Sequence, residues 1–240
     1  MNKIFNAFLK EAEFTYEMLC SGYNDIQKTN YYNKGIYFQA FTSLSTGLEK
    51  IGKICLLIDY AIINNGNFPE SIYVKKYKHN IFDLYKETQK IKEKYDFNFT
   101  YLQNLSDPLT EKIIIILSKF GGGERYSNID FLENTRNYND PINEWYTNVD
   151  KYFIKNFISK KNLDEFIEKA NISNKFTEDI FNIYFIDEIE NEITNIFDVV
   201  IKNNINNLVG KIRQLYFYRI IRYFVELLFK LEKYTKKKII

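Results

Sequence analysis

The chain has 240 residues, 45% of them hydrophobic and 27% charged, which is a globular balance with length enough for a substantial core. A formal net charge of +2 excludes the global basic field of many nucleic-acid binders and leaves room only for a local patch. Two cysteines and one histidine exclude a zinc-ligand spacing, so no metal and no cofactor is expected.

Cys20 and Cys55 both fall in apolar helical patterns, as buried free thiols of a reducing cytoplasm do. Aromatic residues reach 18%, beside a large excess of Lys over Arg and abundant Asn and Ile. An A/T-rich coding bias explains that company more simply than a base-stacking surface.

The first predicted helix covers Asn2 to Ser21, with Phe5, Phe8, Leu9, Ala12, Tyr16 and Leu19 at helical spacing and Gly22 as its stop. Its charges Lys10, Glu11, Glu13 and Glu17 argue against a signal peptide. No apolar run is long enough to span a bilayer, so a cytoplasmic protein without a membrane partner is expected.

The second helix is the strongest pattern in the chain. From Tyr31 to Ile63, the residues Tyr37, Phe41, Leu44, Leu48, Ile51, Cys55, Ile58 and Ile62 follow alternating steps of four and three. Such steps hold one face of a helix, and Glu49, Lys50 and Lys53 fall off it. The cluster from Asn64 to Pro69 ends the helix. A third pattern uses Ile81, Leu84, Thr88 and Ile91, starting between Lys75 and Asn80.

Asp107-Pro108 reads as an N-cap followed by proline at the first helical position. The run Ile113 to Leu117 is β-branched and favours a strand, yet the cap before it and Gly121-Gly122-Gly123 after it bracket one buried helix. Asp140-Pro141 repeats the cap and opens a helix facing Ile142, Trp145, Val149, Phe153 and Phe157 inward. A short helix from Leu163 to Ala170 follows. Then comes a long one from Glu178 to Asn203, striped by Ile186, Ile189, Ile193, Ile196 and Val200. The last runs from Ile205 to Lys233 on Phe217, Ile221, Phe224, Leu228 and Leu231. The expected class is all-α, a bundle of long antiparallel helices. The loop from Gly121 to Asp140 is the candidate boundary between halves at 1–135 and 136–240.

His79 is the only imidazole, and so the one obvious acid–base group near neutral pH. It begins the third helix, where a capping or surface role is the simpler explanation, and Asn80 beside it can orient the ring. Arg125 follows the triple glycine with Tyr126; an arginine in a lysine-rich chain suggests a bidentate contact. Asp187, Glu188, Glu190 and Glu192 cluster on the expected late helix and read as a solvated face. Arg213, Arg219 and Arg222 lie on the last helix, with Arg222 and Glu226 spaced as an i,i+4 pair, and Lys230, Lys233 and Lys236 to Lys238 form a basic tail.

Three local features between Tyr31 and Asn134 occur in a suggestive order. The long helix carries Ala40 and then Leu48-Glu49-Lys50 with Lys53. After a loop with glycine and proline, Lys78-His79-Asn80-Ile81-Phe82-Asp83-Leu84-Tyr85 opens the next helix. Glu124-Arg125-Tyr126 follows a glycine turn. This order resembles HEPN-domain proteins, helical bundles often encoded beside nucleotidyltransferases or in phage-defence loci. The resemblance implies an HEPN-like bundle over 1–135 with a helical extension over 136–240. It also implies a homodimer and a polar site that gathers His79, Asn80, Arg125, Tyr126, Glu49 and Lys53.

Ribonucleases of that family place an arginine shortly before the histidine. Here Ile72, Tyr73 and Val74 stand there, and the nearest cation is Lys75. The expectation is therefore a non-catalytic module recognising RNA or a partner protein such as a nucleotidyltransferase, in a phage-defence or toxin–antitoxin setting. Two alternatives stay open: a divergent metal-independent ribonuclease using His79 with Lys75 or Arg125, and a protein-binding scaffold.

Overall fold

The computed structural model describes residues 3–70, 72–99, 107–135, 139–177 and 182–239. Its architecture is all-α, with one two-stranded ribbon among the described residues.

Helix α1 (Lys3–Ile26) packs along α2 (Gly35–Ile63), the central element, which also meets α3 (Ile81–Lys94), α4 (Pro108–Gly122) and α9 (Ile196–Ile239). The expected stripe of α2 is its core face: Tyr37, Phe41, Leu44, Leu48, Ile51 and Cys55 are buried, and Ile58 and Ile62 pack partly against them. The helix ends where Asn65 (φ 53°) and Gly66 (φ 87°) turn left-handed, within the expected breaker.

Both Asp-Pro starts are present. The Asp107 carboxylate accepts from the Leu109 N–H at 3.1 Å to open α4, and the Asp140 carboxylate accepts from the Ile142 N–H at 2.9 Å to open α6 (Pro141–Trp145). The isoleucine run is helical, with Ile113, Ile114, Ile116 and Leu117 buried, and Gly123 (φ 143°) caps it. After α4 come a 3₁₀ turn at Glu124–Tyr126 and the short α5 (Ser127–Leu132). After α6, a π-helical turn at Tyr146–Asp150 leads into α7 (Lys151–Phe157) and then α8 (Lys160–Thr177), which packs on α9. An aromatic core joins these pieces: Phe41 meets Phe120 and Trp145, and Trp145 stacks on Phe217 of α9 at 6.0 Å and 13°. Apolar contact is thus continuous across residue 136.

Five sequence expectations need correction. Gly22 does not stop α1, which continues to Ile26. A Cβ there would come within 2.6 Å of the Leu44 side chain, so this glycine serves close helix approach. The core face of α1 is Thr15, Leu19, Gly22 and Ile26, while Phe5, Leu9 and Tyr16 are exposed. Helix α2 starts at Gly35 rather than Tyr31, because Asn30 organises a turn by accepting from the Asn33 N–H. Phe157 is exposed at the end of α7.

The fifth correction is the largest. No helix spans 178–203: residues 178–181 lie outside the described residues, and β1 (Phe185–Ile186) pairs antiparallel with β2 (Glu192–Ile193). Asp187 is the physical reason. Its carboxylate takes the Ile189 and Asn191 N–H groups at 3.0 and 2.8 Å, a local bonding pattern that competes with a helix. Helix α9 then starts at Ile196, just after Asn195, whose side chain accepts from the Asp198 N–H, and runs unbroken for 44 residues through the expected break near Asn203. Its stripe residues Phe217, Phe224 and Leu231 are buried, and Ile221 and Leu228 partly so.

Candidate functional site

Four of the six expected polar residues, His79, Asn80, Glu49 and Lys53, fall around one corner where α2, the start of α3 and the end of α4 meet. His79 Nδ1 faces Glu49 Oε2 at 2.9 Å, and Lys53 pairs with the other Glu49 oxygen. The same Lys53 ammonium donates to the Lys78 carbonyl at 2.9 Å. Lys78 sits at φ 46°, a left-handed backbone for a non-glycine residue, and Lys53 helps to hold it there.

Asn80 caps α3 by accepting from the Asp83 N–H at 3.0 Å, and its amide donates to the Asp83 carboxylate at 2.6 Å. The Ser118 hydroxyl on α4 donates to the same Asn80 oxygen at 3.2 Å. Gly121 lets α4 come close: a Cβ there would lie 3.7 Å from the His79 Cβ. The result is an open cleft of about 570 Å³, lined by Lys76, Tyr77, Lys78, His79, Asn80, Asp83 and Gly122.

A carboxylate can only accept, so the Glu49 contact makes Nδ1 the donor and leaves Nε2 as the ring's second nitrogen for a ligand. The His79 side chain is 57% exposed and that of Glu49 18%, so the ring is presented from a partly sheltered carboxylate. Such a pair can bind an anion when protonated or take a proton when neutral. Lys53 is committed to Glu49 and to the backbone, which leaves Lys76 and Lys78 as the cations of the lining. Lys76 lies over the Tyr73 and Tyr77 rings at 5.4 and 4.9 Å.

Arg125 and Tyr126 are not part of this lining. The Arg125 guanidinium lies 5.1 Å from the Tyr126 ring centroid, and its Nε is buried without a hydrogen-bond partner among the described residues. Beside it, burial and the nearby Glu144 push the Glu124 carboxyl up, while Glu144 itself holds Lys119 at 2.6 Å. Lys75 belongs to the 3₁₀ turn before His79 and also lies outside the lining.

A second polar constellation went unread in the sequence. Arg213, fully buried on α9, binds Asp150 with both arms, Nε to Oδ1 at 2.8 Å and Nη2 to Oδ2 at 2.6 Å. Its Nη1 donates to the Thr29 carbonyl and hydroxyl at 2.9 and 2.6 Å, and Trp145 Nε1 donates to Asp150 at 3.0 Å. Burial works against the charge on Arg213, but the Asp150 carboxylate outweighs it and raises the guanidinium well above its ordinary value. This planar fork ties the α1–α2 turn, the π-turn and α9 together. The rarity of arginine was the usable signal: the bidentate contact it suggests is made by Arg213, whereas Arg125, the position singled out for it, shows among the described residues only its contact with the Tyr126 ring.

The acidic cluster is not one solvated helix face. Asp187 and Glu188 are buried against Lys202, at 2.6 and 3.4 Å, whereas Glu190 and Glu192 are exposed. Burial pushes the Glu188 carboxyl up against the opposing pull of Lys202. Among the described residues, no three His, Cys, Asp or Glu side chains gather in a way that could hold a metal ion, and no helix is long and apolar enough to cross a membrane. Cys20 and Cys55 are free, and burial pushes the Cys55 thiol far up.

Comparison with protein-family models, with curated proteins and with solved structures gives no match.

Proposed function

We propose that this chain is an HEPN-like helical module that recognises RNA through the His79 cleft without cleaving it, acting in a phage-defence or toxin–antitoxin setting. The observation that carries this reading is the make-up of the cleft. His79 is presented by Glu49, Lys76 and Lys78 supply positive charge, and among the described residues no arginine lines the cleft to steady a phosphate during transfer. Recognition needs only the charge and the hydrogen-bonding ring; strand cleavage needs in addition a group that stabilises the charge growing on phosphorus. A homodimer belongs to the same proposal. It is supported by Leu215, Tyr218, Val225 and Phe229, which are exposed at steps of three, seven and four along α9 and so form one apolar stripe.

The Glu49–His79 pair supports a second reading, a metal-independent ribonuclease in which the carboxylate orients the imidazole as general acid or base. Incubating the protein with single-stranded and structured RNA separates the two. The expected outcome is that wild type binds without making new fragments and that His79→Ala binds more weakly, also without fragments. Fragments made by wild type and lost in His79→Ala would establish the enzyme.

A further inference from the structure

A cleft of about 790 Å³ opens between the α1–α2 turn and the N-terminal part of α9. Asn203, Asn206 and Asn207 line it from α9, and Gln27 and Asn33 from the turn. Lys28 and Lys211 add two cations, and among the described residues no carboxylate belongs to the lining. Tyr32, 55% exposed, offers a ring on the same turn. Among the described residues, the side-chain amides of Gln27, Asn203, Asn206 and Asn207 hold no hydrogen bond, so their donors and acceptors face a ligand uncommitted. Lys28 is shared with Asp25 at 3.2 Å, an exposed pair that a stronger anion displaces at little cost.

The wall that presents these groups is fixed. Arg213 clamps Thr29 through two hydrogen bonds, and Asn30 bonds the Lys28 carbonyl and the Asn33 N–H, both at 2.8 Å. Opposite the turn, Gly210 lets α9 approach so closely that a Cβ there would lie 2.2 Å from the Gln27 carbonyl oxygen. Rigid presentation of uncommitted polar groups lowers the ordering cost of binding.

The combination selects among ligands. An amphipathic helix needs an apolar lining, and among the described residues Ile36 is the one aliphatic side chain here. A bare inorganic anion has no use for a row of amides and an exposed ring. A nucleotide uses all three: amides match the donor and acceptor pattern of a base edge, an aromatic face stacks on the base, and lysines meet the phosphate. We infer that this cleft binds a nucleotide unit, either free or as part of a single strand. The inference is independent of the His79 cleft.

The test is a titration of the full chain, with fluorescein-labelled ten-nucleotide oligo-U and oligo-A followed by anisotropy and with UMP and AMP followed by calorimetry. Four proteins are compared: wild type, Asn203→Asp/Asn207→Asp, Tyr32→Ala and His79→Ala. The expected result is wild-type binding that weakens roughly tenfold or more in the first two variants, at an unchanged melting midpoint. Binding of the oligonucleotides alone identifies a strand as the source; saturation by the mononucleotides identifies a free nucleotide. The inference is overturned if wild type binds none of these probes, or if both cleft variants bind as wild type does. Loss confined to His79→Ala would also overturn it and would leave the proposal for the other cleft standing.

Discussion

Asp187 and Glu188 are neighbours in the turn of the β-ribbon, yet their surroundings set opposite pKa directions. Burial works against charge on Asp187, but the Lys202 ammonium and the N–H groups of Asn191 and Ile189 outweigh it, so its carboxyl is lowered. Around Glu188 burial dominates, and the carboxyl is raised. A lowered acid contributes stability above its ordinary pKa, and that contribution disappears as pH falls through the folded value. A raised acid does the reverse: it costs nothing below its ordinary pKa and destabilises the fold as pH rises through the folded value. Asp187→Asn should therefore lower the melting midpoint at pH 7, by the equivalent of about 1–3 kcal/mol, with the gap to wild type closing in acid. Glu188→Gln should raise the midpoint at pH 7, with its gain vanishing below the glutamate range. Thermal melts from pH 3 to pH 8 decide the matter; two shifts of the same sign at neutral pH would contradict these environments.

At the scale of elements, the pairing of α1 with α2 depends on two small residues. A Cβ on Gly22 would lie 2.6 Å from Leu44 Cγ and 2.9 Å from the Leu44 backbone nitrogen, and one on Gly47 would lie 2.6 Å from Leu19 Cδ2. Backbone on the other side of the contact cannot swing away, so Gly22→Ala should cost about 1–3 kcal/mol in a denaturant melt. Gly122→Ala, with nothing within 4 Å of the added carbon, is the control and should be close to neutral. A harmless Gly22→Ala would mean that the two helices are less closely apposed. The same elements explain what could be read from the chain. Asp107-Pro108 and Asp140-Pro141 were legible because a cap is a local hydrogen bond between residues two apart. The α2 stripe was legible because one helix meets the core along its length. The segment after Glu178 was misread because Ile186, Ile189, Ile193 and Ile196 keep helical spacing, while Asp187 binds backbone N–H groups within its own turn. Periodicity registers the isoleucines and cannot register that competition.

The whole molecule is organised around α9, about 66 Å long at 1.5 Å per residue, which packs against α1, α2, α7 and α8. Its register is set by Arg213, whose partners Asp150 and Thr29 lie 63 and 184 residues away in sequence. No spacing rule reaches that far, and the buried network was invisible for that reason. The His79 corner was partly legible: His79, Asn80, Glu49 and Lys53 do meet across 30 residues, whereas Arg125 turns to Tyr126 and lies outside the cleft lining.

The single histidine also makes the central claim directly measurable. The imidazole resonances of His79 in an isotope-labelled NMR sample have no competitor, so they can be followed while single-stranded RNA is added and the RNA is checked for fragments. We expect the His79 signals to shift in a saturable way, Lys78→Glu to weaken the effect, and the RNA to stay intact. His79 signals that do not move at saturating RNA, or RNA that is cut as they move, would contradict that claim.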